Sequence, residues 1–162
     1  MKPTLFAAAA LTLALGVSAQ NSQPAPAHDP VVVFSTANLR TQLDNLVAEA
    51  KSKGSSGGNI ENYGSYKIGL SVRTVSGGAE IHAHWDDVMV VQRGSATLIT
   101  GGTVIDGTTG DDGETHGTKI EGGDSRTIGP GDVLTIRAGT PHQLILAPGT
   151  VYGAVVIKVH EP

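Results

Sequence analysis

The chain of 162 residues has no cysteine. That excludes a disulfide-stapled scaffold and a lipid-modified N-terminal Cys, so stability must come from a packed core, helped by a metal if other side chains can hold one. Basic residues are also few, 11 Lys and Arg against 15 Asp and Glu, and they form no cluster. The formal charge of −4 repels phosphate backbones and anionic lipid surfaces, which excludes nucleic acid as a partner. An uninterrupted apolar run of ~20 residues is missing as well, so no membrane anchor is expected.

The N-terminus instead has the pattern of an export signal. MKPTLFAAAALTLALGVSA combines Lys2, an apolar stretch from Leu5 to about Val17, and small residues Val17 and Ala19 at −3 and −1 of a cleavage site. Residues 1–19 are therefore read as a secretory signal peptide, and the expected location is periplasmic or extracellular. Residues 20–30 (QNSQPAPAHDP) alternate Pro with small and polar residues and read as a flexible lead-in. A single domain is expected over residues 31–162.

Glycine is abundant, at 22 residues, and short β-branched runs are broken by Gly and Pro, which indicates an all-β barrel or sandwich. VVVF at 31–34 is a strand candidate. Ser35 or Thr36 can cap one helix whose Leu39, Leu43, Leu46, Val47 and Ala50 share a face and which ends at Gly54. SSGG reads as a loop. In YKIGLSVRTV, Tyr66, Ile68, Leu70 and Val72 alternate with Lys67, Gly69, Ser71 and Arg73, the period of a half-buried strand. The Gly-rich acidic stretch 106–125 reads as a long solvated loop. Its Asp106, Asp111, Asp112 and Glu114 are oxygen donors without the spacing of a calcium loop.

The chemistry concentrates in EIHAHWDDVMVVQRG, residues 80–94. On a strand, His82 and His84 point to one face with Cα atoms ~6.6 Å apart, so both imidazoles can reach one ion. If Trp85 and Asp86 form a two-residue hairpin loop, Asp87 lies directly opposite His84 and becomes a third ligand, with Asp86 in the turn. A slipped register would exchange the two aspartates. A further candidate is His142, which starts an apolar strand after the Gly139-Thr140-Pro141 turn. Three imidazoles and a carboxylate suit Mn, Fe, Ni, Co or Zn better than Mg or Ca and leave positions open for water or substrate.

These residues resemble the motifs of small single-domain cupins. The first cupin motif, G-x5-H-x-H-x3-4-E-x6-G, is matched by Gly77 or Gly78, His82, His84, Asp87 and Gly94. The second, G-x5-P-x-G-x2-H-x3-N, is matched by Gly131, Gly139 and His142. The motifs occupy about 77–94 and 131–146, and the resemblance covers about residues 64–160. It departs from the family where Asp87 replaces Glu and is separated from His84 by two residues instead of three or four, where Arg137 stands for Pro, and where Leu146 stands for Asn.

The resemblance implies a double-stranded β-helix, or jelly-roll barrel, with one N-terminal helix. It also implies one divalent transition metal (Fe, Mn, Ni, Cu or Zn) held by His82, His84 and His142 with or without Asp87. Cupins of this kind act as dioxygenases, oxidases or decarboxylases on small organic molecules; alternatives are a non-catalytic binder of ligand or metal, a zinc-type hydrolase and an isomerase. Tyr66, Met89 and Val91 are pocket candidates by alternation, and Arg137 is either a substrate contact at the barrel mouth or a surface residue. Pairing through an edge strand would give a homodimer.

Overall fold

The computed structural model describes residues 31–161; the expected signal peptide and lead-in lie outside them. The chain divides into an N-terminal unit, Met1–Val33, and a main unit, Phe34–Pro162. In the first, the described valines 31–33 have no regular secondary structure, so the strand expected over VVVF does not form. Its β-branched residues favour an extended chain, but among the described residues no strand pairs with them, and propensity alone does not make a sheet.

The main unit opens with α1 (Thr36–Lys53), followed by β1 (Ser55–Asn62), β2 (Tyr66–Arg73), β3 (Ala79–His82), β4 (Trp85–Arg93), β5 (Ala96–Thr100) and β6 (Thr103–Ile105). Then come β7 (Thr108–Thr109), β8 (Glu114–Gly117), β9 (Lys119–Glu121), β10 (Asp124–Ile128), β11 (Val133–Ile136), β12 (His142–Ile145) and β13 (Tyr152–His160). Two antiparallel sheets dominate, one in the order β1-β2-β13-β4-β11 and one in the order β10-β5-β12-β3-β8-β7, with β6 and β9 as a separate ribbon. Neighbours in each sheet are mostly distant in sequence, as a jelly roll requires.

The helix forms where its ends are specified. The Ser35 side chain accepts from the Asn38 amide at 3.2 Å, and Gly54 takes a left-handed φ of 90° and donates to the Ala50 carbonyl at 2.7 Å. Its apolar face, centred on fully buried Leu43 and Ala50, packs against Leu70, Val72 and Val155. This contact decides the direction of β2. The apolar row of that strand turns toward the helix, so the polar row of Gly69, Ser71 and Arg73 faces the space between the sheets. Likewise Val90, Val155 and Ile157 meet the helix layer, while Met89, Val91, Tyr152, Ala154 and Val156 build the core between the sheets.

Two expected loops are strands. SSGG begins β1, pairing from Ser55↔Arg73 to Asn62↔Lys67. Glycine is required there by close approach: a Cβ on Gly57, whose φ is 149°, would lie 2.1 Å from the Leu70 carbonyl oxygen. The acidic stretch 106–125 contains β7, β8 and β9 and extends the second sheet, because β8 pairs with β3 from Ala79↔Gly117 to His82↔Glu114. Short polar strands on a sheet edge give little periodic signal, which is why the composition reads as loop. No helix among the described residues is long and apolar enough to cross a membrane.

Candidate metal centre

A cavity of about 240 Å³ lies between the sheets, lined by the polar row of β2 and by Glu80, His82, Asp87, His142 and Lys158 among others. Its floor is apolar, with Met89, Ile136, Leu144 and Val156. The second sheet supplies the imidazoles: β12 pairs with β3 so that His142 lies opposite Glu80, and His82 follows two residues later on the same face. The rings of His82 and His142 are 5.0 Å apart, and both residues are buried.

The donors converge. Glu80 Oε2 lies 3.9 Å from His82 Nε2 and 3.9 Å from His142 Nε2. One ligand atom from each of the three residues falls within 4.8 Å of the others. Asp87, from β4 of the facing sheet, brings Oδ2 to 3.3 Å from His82 Nε2. The outward atoms of the same groups are all engaged. Arg73 Nη2 is 3.5 Å from Glu80 Oε1, Lys158 Nζ is 2.7 Å from Asp87 Oδ1, His142 Nδ1 is 3.0 Å from the Thr140 carbonyl, and His82 Nδ1 meets the carboxylate of Glu114. Each carboxylate thus has one oxygen on a cation and the other facing imidazole, and each ring has Nδ1 occupied and Nε2 turned inward.

Electrostatics follow from these contacts. Burial opposes a charge on His82, but hydrogen bonds to Asp87 and Glu114 outweigh it and raise its pKa above the usual histidine value. His142 goes the other way: burial lowers its pKa, and nearby His82 lowers it further against the opposing pull of the Thr140 carbonyl. For Asp87, burial favours the neutral acid, yet His82 and Lys158 together hold the pKa below the usual carboxylate value. Two nitrogens and one or two carboxylate oxygens form a donor set for a divalent transition metal, and ring nitrogens oriented by outer hydrogen bonds suit that role.

The site differs from the sequence expectation in particular residues. His84 is exposed and outside the cluster. The strand β3 ends at His82, residues 83 and 84 form the turn, and β4 starts at Trp85 in the other sheet. The expected hairpin around Trp85 and Asp86 therefore does not exist, and the alternation that would bring His84 onto the face of His82 stops one residue too early. The His84 ring stacks at 6.3 Å on His160, and its carbonyl accepts from the Glu161 amide at 2.9 Å. The aspartates are inequivalent: Asp87 faces the cavity, while Asp86 accepts from the Ala138 amide at 2.7 Å and pairs with Arg137.

Arg137 lies on the outside, 71% exposed, paired with Asp86 and Glu161, because its neighbour Ile136 takes the inward position. Tyr66 belongs to the row of β2 opposite the cavity and stacks at 4.7 Å on Tyr63. Met89 lines the cavity, whereas Val91 lies deeper in the core. Glu80, Arg73, Gln143 and Lys158 were not among the expected site residues, and Glu114 was expected only as an oxygen donor in a solvated loop. For Glu80 a signal was present, since it precedes His82 by two residues and shares its face by the same alternation that recommended His84. The others are brought in by strand pairing. Gln143, for example, joins Gly77 O at 2.9 Å to the Ile120 amide at 3.0 Å.

No family model matches the chain, and no curated protein matches it. Solved structures do. The protein TT1209 from Thermus thermophilus is 14% identical and superposes with a TM-score of 0.53 over 74% of this chain and 95% of that one. The polyketide cyclase RemF of Streptomyces resistomycificus (17% identical, 68% and 69% covered, TM-score 0.47) and a cupin superfamily protein of Desulfitobacterium hafniense (15%, 66% and 78%, TM-score 0.45) are also similar. At such identities the likeness concerns the fold alone. With its two facing antiparallel sheets, the strand order of a jelly roll and one covering helix, the main unit is a jelly-roll β-sandwich, similar in fold to TT1209.

Proposed function

We propose that this chain is an exported metal-dependent enzyme acting on a small organic molecule, with the ion held by Glu80, His82 and His142 and with Asp87 at its side. The observation that carries this reading is the convergence of both Nε2 atoms on Glu80 Oε2 inside a buried cavity. The set departs from the three-histidine expectation by exchanging His84 for Glu80, which adds negative charge and favours a divalent ion. A redox-active ion such as Fe, Mn, Cu or Ni would supply oxidase, dioxygenase or decarboxylase chemistry there, and Zn would supply Lewis acidity.

The chain's own groups complete the site. Arg73 and Lys158 steady the carboxylates and keep positive charge at the cavity wall, while Met89, Ile136, Leu144 and Val156 exclude bulk water. A space of about 240 Å³ limits the guest to a small molecule. A non-catalytic ligand or metal binder is the second reading. It is favoured by the pairing of both Glu80 and Asp87 with cations, which leaves neither as a free general base.

The test is elemental analysis of protein purified without a histidine tag, before and after chelation and reloading, for the wild type and His142→Ala. Oxygen uptake is then followed with small carboxylic acids, phenolics and diketones. About one ion per wild-type chain is expected, and much less in the variant. A wild type that retains no transition metal refutes the proposal, and ion and ligand binding without turnover selects the binder.

A further inference from the structure

The hairpin of β7 and β8 lies at the end of the second sheet. Its register sets Glu114 directly against His82, a residue 32 positions earlier in the chain. The Glu114 carboxylate meets His82 Nδ1, the ring atom on the far side from the cavity cluster. Both side chains are largely withdrawn from solvent, at 9% and 23% exposure. His142 uses a local backbone partner for the same ring atom, the carbonyl of Thr140, so the two imidazoles are held by unlike means. A carboxylate partner fixes the ring and also makes its other nitrogen a better donor than a neutral carbonyl would.

The hairpin is shaped to deliver that carboxylate. Gly113, just before Glu114, has a φ of 80°, and a Cβ there would come within 2.8 Å of the Ala83 side chain and 3.2 Å of His84 Nε2. The tip therefore seats on the turn that ends β3. Asp112 Oδ1 accepts from the Glu114 amide at 3.1 Å, the Gly110 amide donates to the Glu114 carbonyl at 2.9 Å, and the hydroxyls of Thr109 and Thr115 are bonded at 2.7 Å. An exposed loop needs none of these constraints.

We infer that Glu114 is a positioning residue for the metal centre, holding the His82 ring through Nδ1 so that Nε2 is presented to the ion. Through it the β7–β8 hairpin sets metal affinity. The inference rests on the proposed site of Glu80, His82 and His142, and its test separates the two. Metal-free full-length protein is titrated with Co(II) against a competing chelator, for the wild type, Glu114→Ala, Glu114→Gln and Gly113→Ala, and the visible spectrum of each Co(II) form is recorded.

Glu114→Ala is expected to weaken Co(II) binding by about 10- to 100-fold. Glu114→Gln should lose less, because its amide oxygen can still accept from Nδ1–H. Gly113→Ala, which alters no group facing the ion, should weaken binding by lifting the hairpin tip. The Co(II) absorption bands should shift in both Glu114 variants, a change that a merely structural contact would not cause. Wild-type affinity and an unshifted spectrum in the Glu114 variants overturn the inference and leave the metal site standing. The Gln variant decides alone if the Ala variant does not fold. A wild type that binds no Co(II) overturns the metal reading and this inference with it.

Discussion

Replacing Glu80 by Ala in one variant and His84 by Ala in another discriminates between the ligand set of the folded protein and the one suggested by the HxH pattern. Glu80 Oε2 is 3.9 Å from both inward ring nitrogens, whereas the His84 ring is exposed and touches His160. Structural zinc sites with four ligands bind with about 10–16 kcal/mol, or about 2.5–4 kcal/mol per ligand. At about 1.4 kcal/mol per tenfold, loss of Glu80 should weaken binding by two to three powers of ten. Its removal also frees the Arg73 guanidinium, which stands 3.5 Å from Glu80 Oε1, and an unpaired cation beside the ion opposes binding further.

The assay is a Zn(II) or Co(II) titration of metal-free protein against a chelator of known affinity, with thermal unfolding of the metal-free forms as a control for folding. His84→Ala should stay within about threefold of wild type, since exposed contacts of this kind are worth a few tenths of a kcal/mol. If His84→Ala loses as much affinity as Glu80→Ala, or more, the ligand assignment is refuted.

Asp87→Ala should weaken metal retention more than Asp86→Ala in the same titration, because Asp87 faces His82 while Asp86 is occupied with the Ala138 amide and Arg137. Tyr152 is fully buried, and its hydroxyl has no partner among the described residues; burial pushes its pKa up to about 12. Tyr152→Phe removes an unsatisfied polar group, so denaturant unfolding should show a gain of about 1 kcal/mol, and a loss of that size would mean that the hydroxyl is hydrogen-bonded in solution. Leu43→Ala, at the centre of the helix–sheet contact, should cost about 2–5 kcal/mol in the same measurement. A cost below about 1 kcal/mol would mean that α1 contributes little to holding the sheet.

Much of the fold was legible because its signals are local. Ser35 and Gly54 bound the helix by cap chemistry, and the leucines between them share a face whatever lies opposite. The alternation of β2 was legible too, but not its sense: the row of Tyr66, Ile68, Leu70 and Val72 turns to the helix and leaves Gly69, Ser71 and Arg73 to the cavity. A half-buried strand of this kind has two covered faces, and hydrophobicity says which is the drier. It does not say which faces a binding site. Strand β1 and strands β7 to β9 read as loops because their glycine and polar residues carry no apolar period.

Within EIHAHWDD, composition and spacing determined that histidines and acids would lie together, that His82 would have a same-face neighbour two residues away, and that a distant TPH turn offered a second imidazole. Tertiary structure decided which neighbour it was. Period-two alternation holds only while the backbone remains in one strand, and at residue 83 this chain leaves the second sheet to enter the first, carrying His84 to the surface and keeping Glu80 inside. The contributions of Arg73, Glu114 and Lys158 were beyond local reading for a related reason. Each reaches the site through pairing between strands far apart in sequence, and that pairing is chosen by the packing of the whole domain.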